Sequence, residues 1–532
     1  MNVEQLLKRY ETLKAQRYSW DVLWDDIALY VMPNRADFVT KRSTGDKGRT
    51  DKVYDSTAIH SNEILATSLH GALTPAQSPW FTIRFRDDEL NEDDTAMEWM
   101  EECTRRMYDS LGESNFNSEI NEMYLDLGCF GTSVVFLEEG DKPGDWGGLR
   151  FETIHLSEVC VAENAKGKVD TIYRKFELPA RAAAARWNAE MPKIHAALET
   201  TPDKKYAFLH CVHPNTDAAY GKEMALPTDR PFFEYYISVA DKAIIEEGGY
   251  YELPYFVPRW AKISGDAYGF GRGQVARAHV KVLNEAKRLE LKAWEKSIDP
   301  PYMAGRNAII DNLHLEPGGL TFVRDMNELR PLGNATQWNA TQLKSQELIQ
   351  QIRNMFFADQ LQLPERPNAT ATEIKLRYEM MQRLLAPTLG RLQSELLNPL
   401  VERVFFMMFR SNQFNPPPES VLASRSELDI EYVSPLARAQ KMGDVEAIER
   451  WMGDLKGMYE VNPEVMDTVD FDEVSRLLAD RQGVPADVRR GEQEMGQLRE
   501  QRMQQQQALM QQQMEMQSAG QGPVQGAGAA DV

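Results

Sequence analysis

The stretch Tyr268-Gly-Phe-Gly-Arg-Gly-Gln274 runs directly into VARAHVKVLNEAKRLELKAWEKS, residues 275–297. Closely spaced glycines predict a turn, and the apolar and charged periodicity that follows predicts a long helix over about 273–297. Asp299-Pro300-Pro301 stops that helix, because proline has no N–H to donate and its ring clashes with the preceding turn. A compact, turn-rich piece spans about 300–336, with Gly305, Pro317-Gly318-Gly319 and Pro331. Within it Leu320-Thr-Phe-Val323 is predicted as a strand. A second long helix is predicted over 338–362, then a short loop, Leu363-Pro-Glu-Arg-Pro-Asn-Ala-Thr370. A third helix follows to about Arg410. Thr370 and Glu373 fit the capping box that opens it, and Pro387 and Pro399 inside it predict kinks. In an isolated chain, two long helices with a short connection form a simple hairpin.

Upstream, Leu6, Tyr10, Leu13, Arg17, Trp20, Trp24, Ile27 and Val31 recur in steps of four and three. That spacing puts them on one helical stripe, interrupted only by Arg17, and Pro33 ends the helix. A stripe with two tryptophans reads as core or subunit contact. The basic loop after it, from Arg35 to Lys52, holds Lys41, Arg42, Lys47 and Arg49. A solvated loop is favoured there over contact with DNA or an acidic neighbour. Helices are predicted over 56–73, 92–111, 114–128 and 180–197. Strands are predicted over 80–85, 131–137, 169–177, 206–213, 232–239 and 254–260. Beyond Pro416-Pro417-Pro418, a strand at 427–433 precedes helices over 435–480, with turns at Pro463 and at Gly453. The Gln/Met stretch beyond 484 is helix-compatible but too poor in apolar surface to fold alone. The Gly-rich end is predicted to be flexible.

A length of 532 residues predicts several domains or subdomains. The 81 acidic and 60 basic residues give a formal charge of −21. That balance disfavours a protein that grips nucleic acid through a basic face and does not exclude one that surrounds DNA without holding it; on composition alone a soluble acidic protein with no DNA role is favoured. Cys103, Cys129, Cys160 and Cys211 form no CxxC pair and read as buried apolar side chains of a reducing compartment. The opening MNVEQLLKRYETLK lacks the apolar core of a signal peptide, and no stretch approaches a membrane span. The chain is therefore expected to be made and assembled in cytoplasm, and the Asn-Ala-Thr triplets at Asn334, Asn339 and Asn368 are not expected to carry glycans.

No GxxxxGK[ST] phosphate loop, HExxH zinc motif or GxSxG nucleophile elbow occurs. Gly269, Gly271 and Gly273 resemble a dinucleotide loop only superficially, since position 274 is Gln where a third glycine would fall. His210 and His213 are the nearest histidine pair, and on a strand they point to opposite faces, which suits no shared metal. No cofactor, no metal site and no catalytic residue is expected.

The order of parts resembles the head-to-tail connecting proteins, or portals, of short-tailed bacteriophages. The resemblance covers nearly the whole chain to about residue 480. It is carried by Tyr268-Gly-Phe-Gly-Arg-Gly, Leu283-Asn284, Pro300-Pro301, Thr370-Ala-Thr-Glu373, Pro387 with Gly390-Arg-Leu-Gln-Ser-Glu-Leu-Leu-Asn-Pro-Leu400, Ser434-Pro-Leu-Ala-Arg-Ala-Gln440 and Met32-Pro33. It implies an α+β, mainly α, portal fold with wing, stem, clip and crown, in a ring-forming subunit of a dodecamer at one capsid vertex. The parts map as wing 1–267, stem helices 268–298 and 338–362, clip 299–337, channel loop 363–370, kinked wing helix and following strand 371–433, crown 434–483, and a C-terminal barrel helix or flexible tail 484–532. The resemblance also implies a non-enzymatic conduit for double-stranded DNA in packaging and ejection. Its implied partners are the packaging ATPase (the terminase large subunit), tail adaptor proteins, major capsid and scaffolding proteins, and internal core proteins, with no membrane.

Two sets of residues are candidates for contact within such a channel. Lys281, Lys287, Arg288, Lys292 and Lys296 lie on the first stem helix, where they either line the channel or pair with Glu285, Glu290 and Glu295; pairing is favoured. In the loop, Arg366 is the one cation, with Glu365 beside it and Asn368 nearby. An arginine there can touch phosphate without reading sequence. Competing readings are another virion structural protein such as an internal core or tail-tube component, a metal-dependent nuclease, and a cytoplasmic helical scaffold.

Overall fold

The computed structural model describes the chain except residues 1, 41–49, 92, 141, 143–145, 188, 217–225, 227–228, 299–301, 305–328, 332–337, 362–384, 424–427, 433–434, 460–467, 483–494, 497, 508–509 and 511–532. Helices and smaller sheets make it α+β, mostly helical. It divides into two compact units. The first comprises Met1–Thr82, Cys103–Asn415 and Ile430–Ala439; the second comprises Ile83–Glu102, Pro416–Asp429 and Gln440–Val532.

The helices that organise the first unit are α1 (Val3–Val31), α2 (Thr57–Leu73), α3 (Phe116–Phe130), α4 (Arg272–Ile298), α5 (Trp338–Met355) and α6 (Asn398–Arg410). Asn2 caps α1 in a capping box with Gln5, and the chain turns into a 3₁₀ segment at Pro33. The α1 stripe is buried as its periodicity requires, with Trp20 half-buried. The helix predicted over 180–197 is two, Ala180–Arg186 and Pro192–Thr200, because Pro192 cannot continue a helix but suits the first position of one. The strand predicted at 131–137 starts later, at Val135–Glu139, since Gly131 adopts φ 77° and serves as the left-handed cap of α3. Pro254 and Pro258 confine the strand predicted at 254–260 to Tyr255–Phe256.

Two larger antiparallel sheets pack with these helices. A five-stranded meander runs Val159–Glu163, Val169–Pro179, Lys205–Pro214, Phe232–Ser238 and Ala243–Tyr250. A three-stranded sheet places Val135–Glu139 between Leu149–Thr153 and Tyr255–Phe256. Leu6, Tyr10 and Leu13 of α1 pack on Cys160, Tyr173, Leu209 and Cys211 of the meander. All four cysteines are free and buried. His210 and His213 lie on the same strand and stack on different residues, His210 on Tyr236 and His213 on Tyr235.

The kink expected at Pro399 takes the form of a π turn, Gln393–Leu397, immediately before α6. Pro399 has no N–H for the carbonyl of Glu395, and the Asn398 N–H reaches back five residues to Gln393 instead. The widened turn faces Glu395 to Arg259, which is 1% exposed. Glu395 accepts from the Arg259 backbone N–H at 3.0 Å and from Nε at 3.1 Å. Pro387 lies in helical residues, and residues 362–384, with the capping box expected at Thr370 and Glu373, are outside the described residues. In the second unit, Gly453 sits within the helix Pro435–Tyr459 and makes no turn, while Pro463 is outside the described residues. Arg499 forms a bidentate pair with Asp472 of the helix Phe471–Gln482, at 2.6 Å for each bond.

Arg17 is not an interruption of the α1 stripe but its anchor. Its side chain donates to the carbonyls of Leu156 at 2.8 Å and Ser157 at 2.9 Å, and also to that of Val159. Its Nε pairs with Asp21 at 2.9 Å. A buried cation so satisfied ties α1 to the entry of the meander. Arg17→Ala strands a nearly buried Asp21 and removes a donor from three carbonyls. We expect a loss of about 3–5 kcal/mol in unfolding free energy, read from the denaturant midpoint; a loss well under ~1 kcal/mol would show that the anchor is dispensable.

Candidate functional site

The turn before α4 is built by contact between backbones. A Cβ on Gly271 would lie 2.4 Å from Gly131 N and 2.6 Å from its Cα, and one on Gly273 would lie 2.2 Å from the Cys129 carbonyl oxygen. Only glycine permits that approach. Hydrogen bonds complete it. Gly269 N–H donates to Thr132 Oγ1 at 2.7 Å, and Gly271 N–H to Gln274 Oε1 at 2.7 Å. Gln274 Nε2 in turn donates to the Phe130 carbonyl at 2.7 Å, which also accepts from Trp24 Nε1 at 3.2 Å. Tyr268 packs edge-on against Trp24, with centroids 5.1 Å apart, and its hydroxyl accepts from Val161 N–H at 3.2 Å. The glycine run is therefore a packing joint for α1, α3, α4 and the meander. Gln274, where a dinucleotide loop would carry glycine, closes it.

From this joint α4 and α5 run antiparallel. Arg272 Nε donates to the Met355 carbonyl at 2.5 Å at one end, and Ser345 Oγ to Glu290 Oε1 at 2.6 Å further along. Beyond them the short strands Tyr302–Ala304 and Leu329–Pro331 pair antiparallel, so the chain leaves α4 and returns to α5 through one excursion. Leu320–Val323 lies outside the described residues. The second helix is shorter than predicted: α5 ends at Met355, and a turn at Phe356 and Phe357 separates it from Ala358–Leu361. Asn284 is a buried polar residue that joins the 52–54 segment to α4. It accepts from Tyr54 N–H at 2.7 Å and donates to the Lys52 carbonyl at 2.9 Å.

The five candidate cations of α4 divide by surroundings. Lys281 pairs with Asp26 of α1, at 2.7 and 2.9 Å, beside Arg277. Lys287 pairs with Glu290 at 2.8 Å, and Arg288 Nε with Glu285 at 2.8 Å. Lys292 and Lys296, toward the excursion, make no ion pair within 4 Å among the described residues. Burial pushes the Glu290 carboxyl up, but hydrogen bonds from Lys287 and Ser345 outweigh it and hold the group below the usual carboxylate range. The hydrogen bond from Arg288 lowers Glu285. Glu365, Arg366 and Asn368 lie outside the described residues, as do Lys41, Arg42, Lys47 and Arg49. Among the described residues no cluster of His, Cys, Asp or Glu could hold a metal ion, and no helix is long and apolar enough to cross a membrane.

A protein organised this way, with two long antiparallel helices rising from a packed base and closed by an excursion, belongs to a structural class defined by its family model. Residues 3–489 match the bacteriophage head to tail connecting protein family, and the chain belongs to that family. It is 28% identical to the probable portal protein of Bordetella phage BPP-1 over 522 residues, 94% of this chain and 91% of that one. It is 26% identical to the portal protein of Salmonella phage epsilon15 over 538 residues, 98% of this chain and 94% of that one.

The glycine joint yields a paired prediction. Gly271→Ala drives a methyl group into the backbone of Gly131, and overpacking against backbone is expected to cost about 3 kcal/mol. Gly390 sits on an exposed helical face with nothing within 4 Å of a Cβ, so Gly390→Ala should stabilise by up to ~1 kcal/mol. Thermal midpoints of the two variants should move in opposite directions; a shared direction would refute the joint.

Proposed function

We propose that the chain is the subunit of a dodecameric ring at one capsid vertex, through which double-stranded DNA is packaged and ejected. The observation that carries this reading is the outer face of α4. Ala276, Val280 and Leu283 of that helix are buried within the chain. Val275, Val282 and Leu289, at seven-residue spacing on another face, are 41%, 57% and 52% exposed. Leu291, Trp294 and Ile298 are exposed as well, but they continue the face of Ala276, Val280 and Leu283 and are not part of this row. A heptad row of this kind on one helix supports packing against another helix. In a ring that helix belongs to the next copy. Isologous pairing would stop at a dimer, whereas a head-to-tail contact closes a ring.

In this reading α4 and α5 form the stem, 299–337 the clip that meets the packaging ATPase and later the tail adaptors, 363–370 the channel loop, and 434–483 the crown. The wing, 1–267 with the helix and strand of 371–433, meets capsid and scaffolding proteins. Internal core proteins meet the capsid-facing end, and 484–532 extends it. The net charge of −21 supports a conduit that does not hold its cargo. Four of the α4 cations, Arg277, Lys281, Lys287 and Arg288, are already paired with carboxylates, which limits phosphate neutralisation by the stem. Arg366, flanked by Glu365 and near Asn368, gives at most weak, equivalent contacts around the ring, suited to sliding.

The test is native mass measurement with negative-stain imaging of the purified chain. A ring with a central hole is expected; a stable monomer at high concentration overturns the reading. A Val282→Glu, Leu289→Glu double variant is expected to keep its fold, because both side chains are exposed on the outer row and surface changes usually shift stability within ~0.5 kcal/mol. It should fail to form full rings at concentrations where the parent does.

A further inference from the structure

The turn that ends α5 has an unfavourable occupant. Phe357 adopts φ 58°, in the left-handed region, where the Cβ of an L-residue crowds its own carbonyl. Its backbone serves both flanking elements. The N–H donates to the Asn354 carbonyl at 3.1 Å, and its carbonyl accepts from Gln360 and Leu361 at 3.0 Å each. Arg272, the first residue of α4, holds this turn from outside. Its Nε bonds the Met355 carbonyl at 2.5 Å, and its guanidinium lies 4.1 Å from the centre of the Phe357 ring.

That placement is costly for the arginine as well. It sits at the N-terminus of α4, where the helix dipole repels a cation. No carboxylate pairs with it among the described residues. Burial lowers its basicity. What favours it is the C-terminus of α5, whose free carbonyls attract a cation, and the face of an aromatic ring. Two locally disfavoured features thus persist because each is held by the other. Strain of this kind, where the surroundings over-determine it, marks places whose geometry function requires.

We propose that Arg272 is a positioning residue for the turn that ends the second stem helix: it holds the left-handed conformation at Phe357 and so fixes how Ala358–Leu361 follow α5. The inference rests on reading 363–370 as the channel loop. A left-handed aromatic residue is disfavoured about tenfold relative to one free of the Cβ clash. The turn therefore depends on Arg272, while a glycine or asparagine at 357 would sustain it unaided.

The experiment uses heads assembled with each variant as the sole connector, scored for DNA retained per head, with ring assembly followed by native mass. Arg272→Ala should assemble yet retain several-fold less DNA, and the double variant Arg272→Ala, Phe357→Gly should recover the parental level, as should Arg272→Ala, Phe357→Asn. Arg272→Gln keeps an N–H for the Met355 carbonyl but no charge over the ring, and serves if the alanine variant fails to assemble. Parental retention by both single variants, or a defect that neither Phe357 substitution relieves, overturns the proposal. A deletion within 364–369 separates the two claims. If the deletion is silent while Arg272→Ala is defective and rescued, the channel-loop reading falls and the role of Arg272 in holding the turn stands. If the deletion is defective and Arg272→Ala is silent, the positioning role falls alone.

Discussion

Everything in the first unit hangs on one steric fact: the backbone of Gly269–Gly273 lies against the backbone of Cys129–Gly131 with no room for a Cβ at Gly131, Gly269, Gly271 or Gly273. Close approach makes the C-terminus of α3 and the N-terminus of α4 neighbours. The Phe130 carbonyl, left without a helical partner, then accepts from Gln274 of α4 and Trp24 of α1. Three helices meet at one carbonyl. Tyr268 extends the same joint to the edge of the meander through Val161. A long helix lever such as α4 needs a base of this stiffness, because a small rotation at its foot becomes a large displacement at its tip.

Around the joint, buried arginines fasten element to element. Arg17 binds carbonyls at the entry of the meander, Arg259 binds Glu163 and the π-turn Glu395, and Arg403 binds the carbonyls of Leu137 at 3.3 and 3.2 Å and of Glu252 at 2.9 Å. Each cation is desolvated, so its worth lies less in net stability than in the exclusion of other registers, which would leave it unpaired. The π turn shows how one such contact arises. Proline at 399 forces an extra residue into the helical turn, and Glu395 in that widened turn meets Arg259.

Periodicity made the long elements legible. The α1 stripe, the end of α4 near Asp299-Pro300 and the start of α5 follow from apolar spacing and proline alone. The glycine run read correctly as a turn before a helix, but its role did not, because backbone contact with residues 129–131 is a long-range fact that local pattern does not carry. Arg17 looked like a flaw in a stripe for the same reason: its acceptors are carbonyls about 140 positions away. Strands of the meander with polar neighbours on both sides, such as Ala243–Tyr250, lack the clean alternation that marks a half-buried strand. The left-handed turn at Phe357 was invisible, since nothing in an aromatic residue announces positive φ. Of the α4 cations expected to pair with carboxylates of the same helix, Lys287 and Arg288 do so; Lys292 makes no ion pair among the described residues although Glu295 lies three positions on, and Lys281 pairs instead with Asp26, which depends on the packing of α1.

The charge arrangement of α4 bears on how a channel could let DNA slide. A phosphate-binding wall gains affinity by releasing counterions, one for each phosphate neutralised, so unpaired cations in register with the duplex would hold it. On α4 Arg277, Lys281, Lys287 and Arg288 already have carboxylate partners, and a guanidinium or ammonium in an ion pair has less to offer a phosphate. Among the described residues Arg272, at the start of the helix, and Lys292 and Lys296, toward the excursion, stand without carboxylate partners. The paired cations Arg277 to Arg288 thus occupy the middle of α4, with Glu295 set between Lys292 and Lys296 beyond them, so the helix carries no continuous unpaired basic stripe.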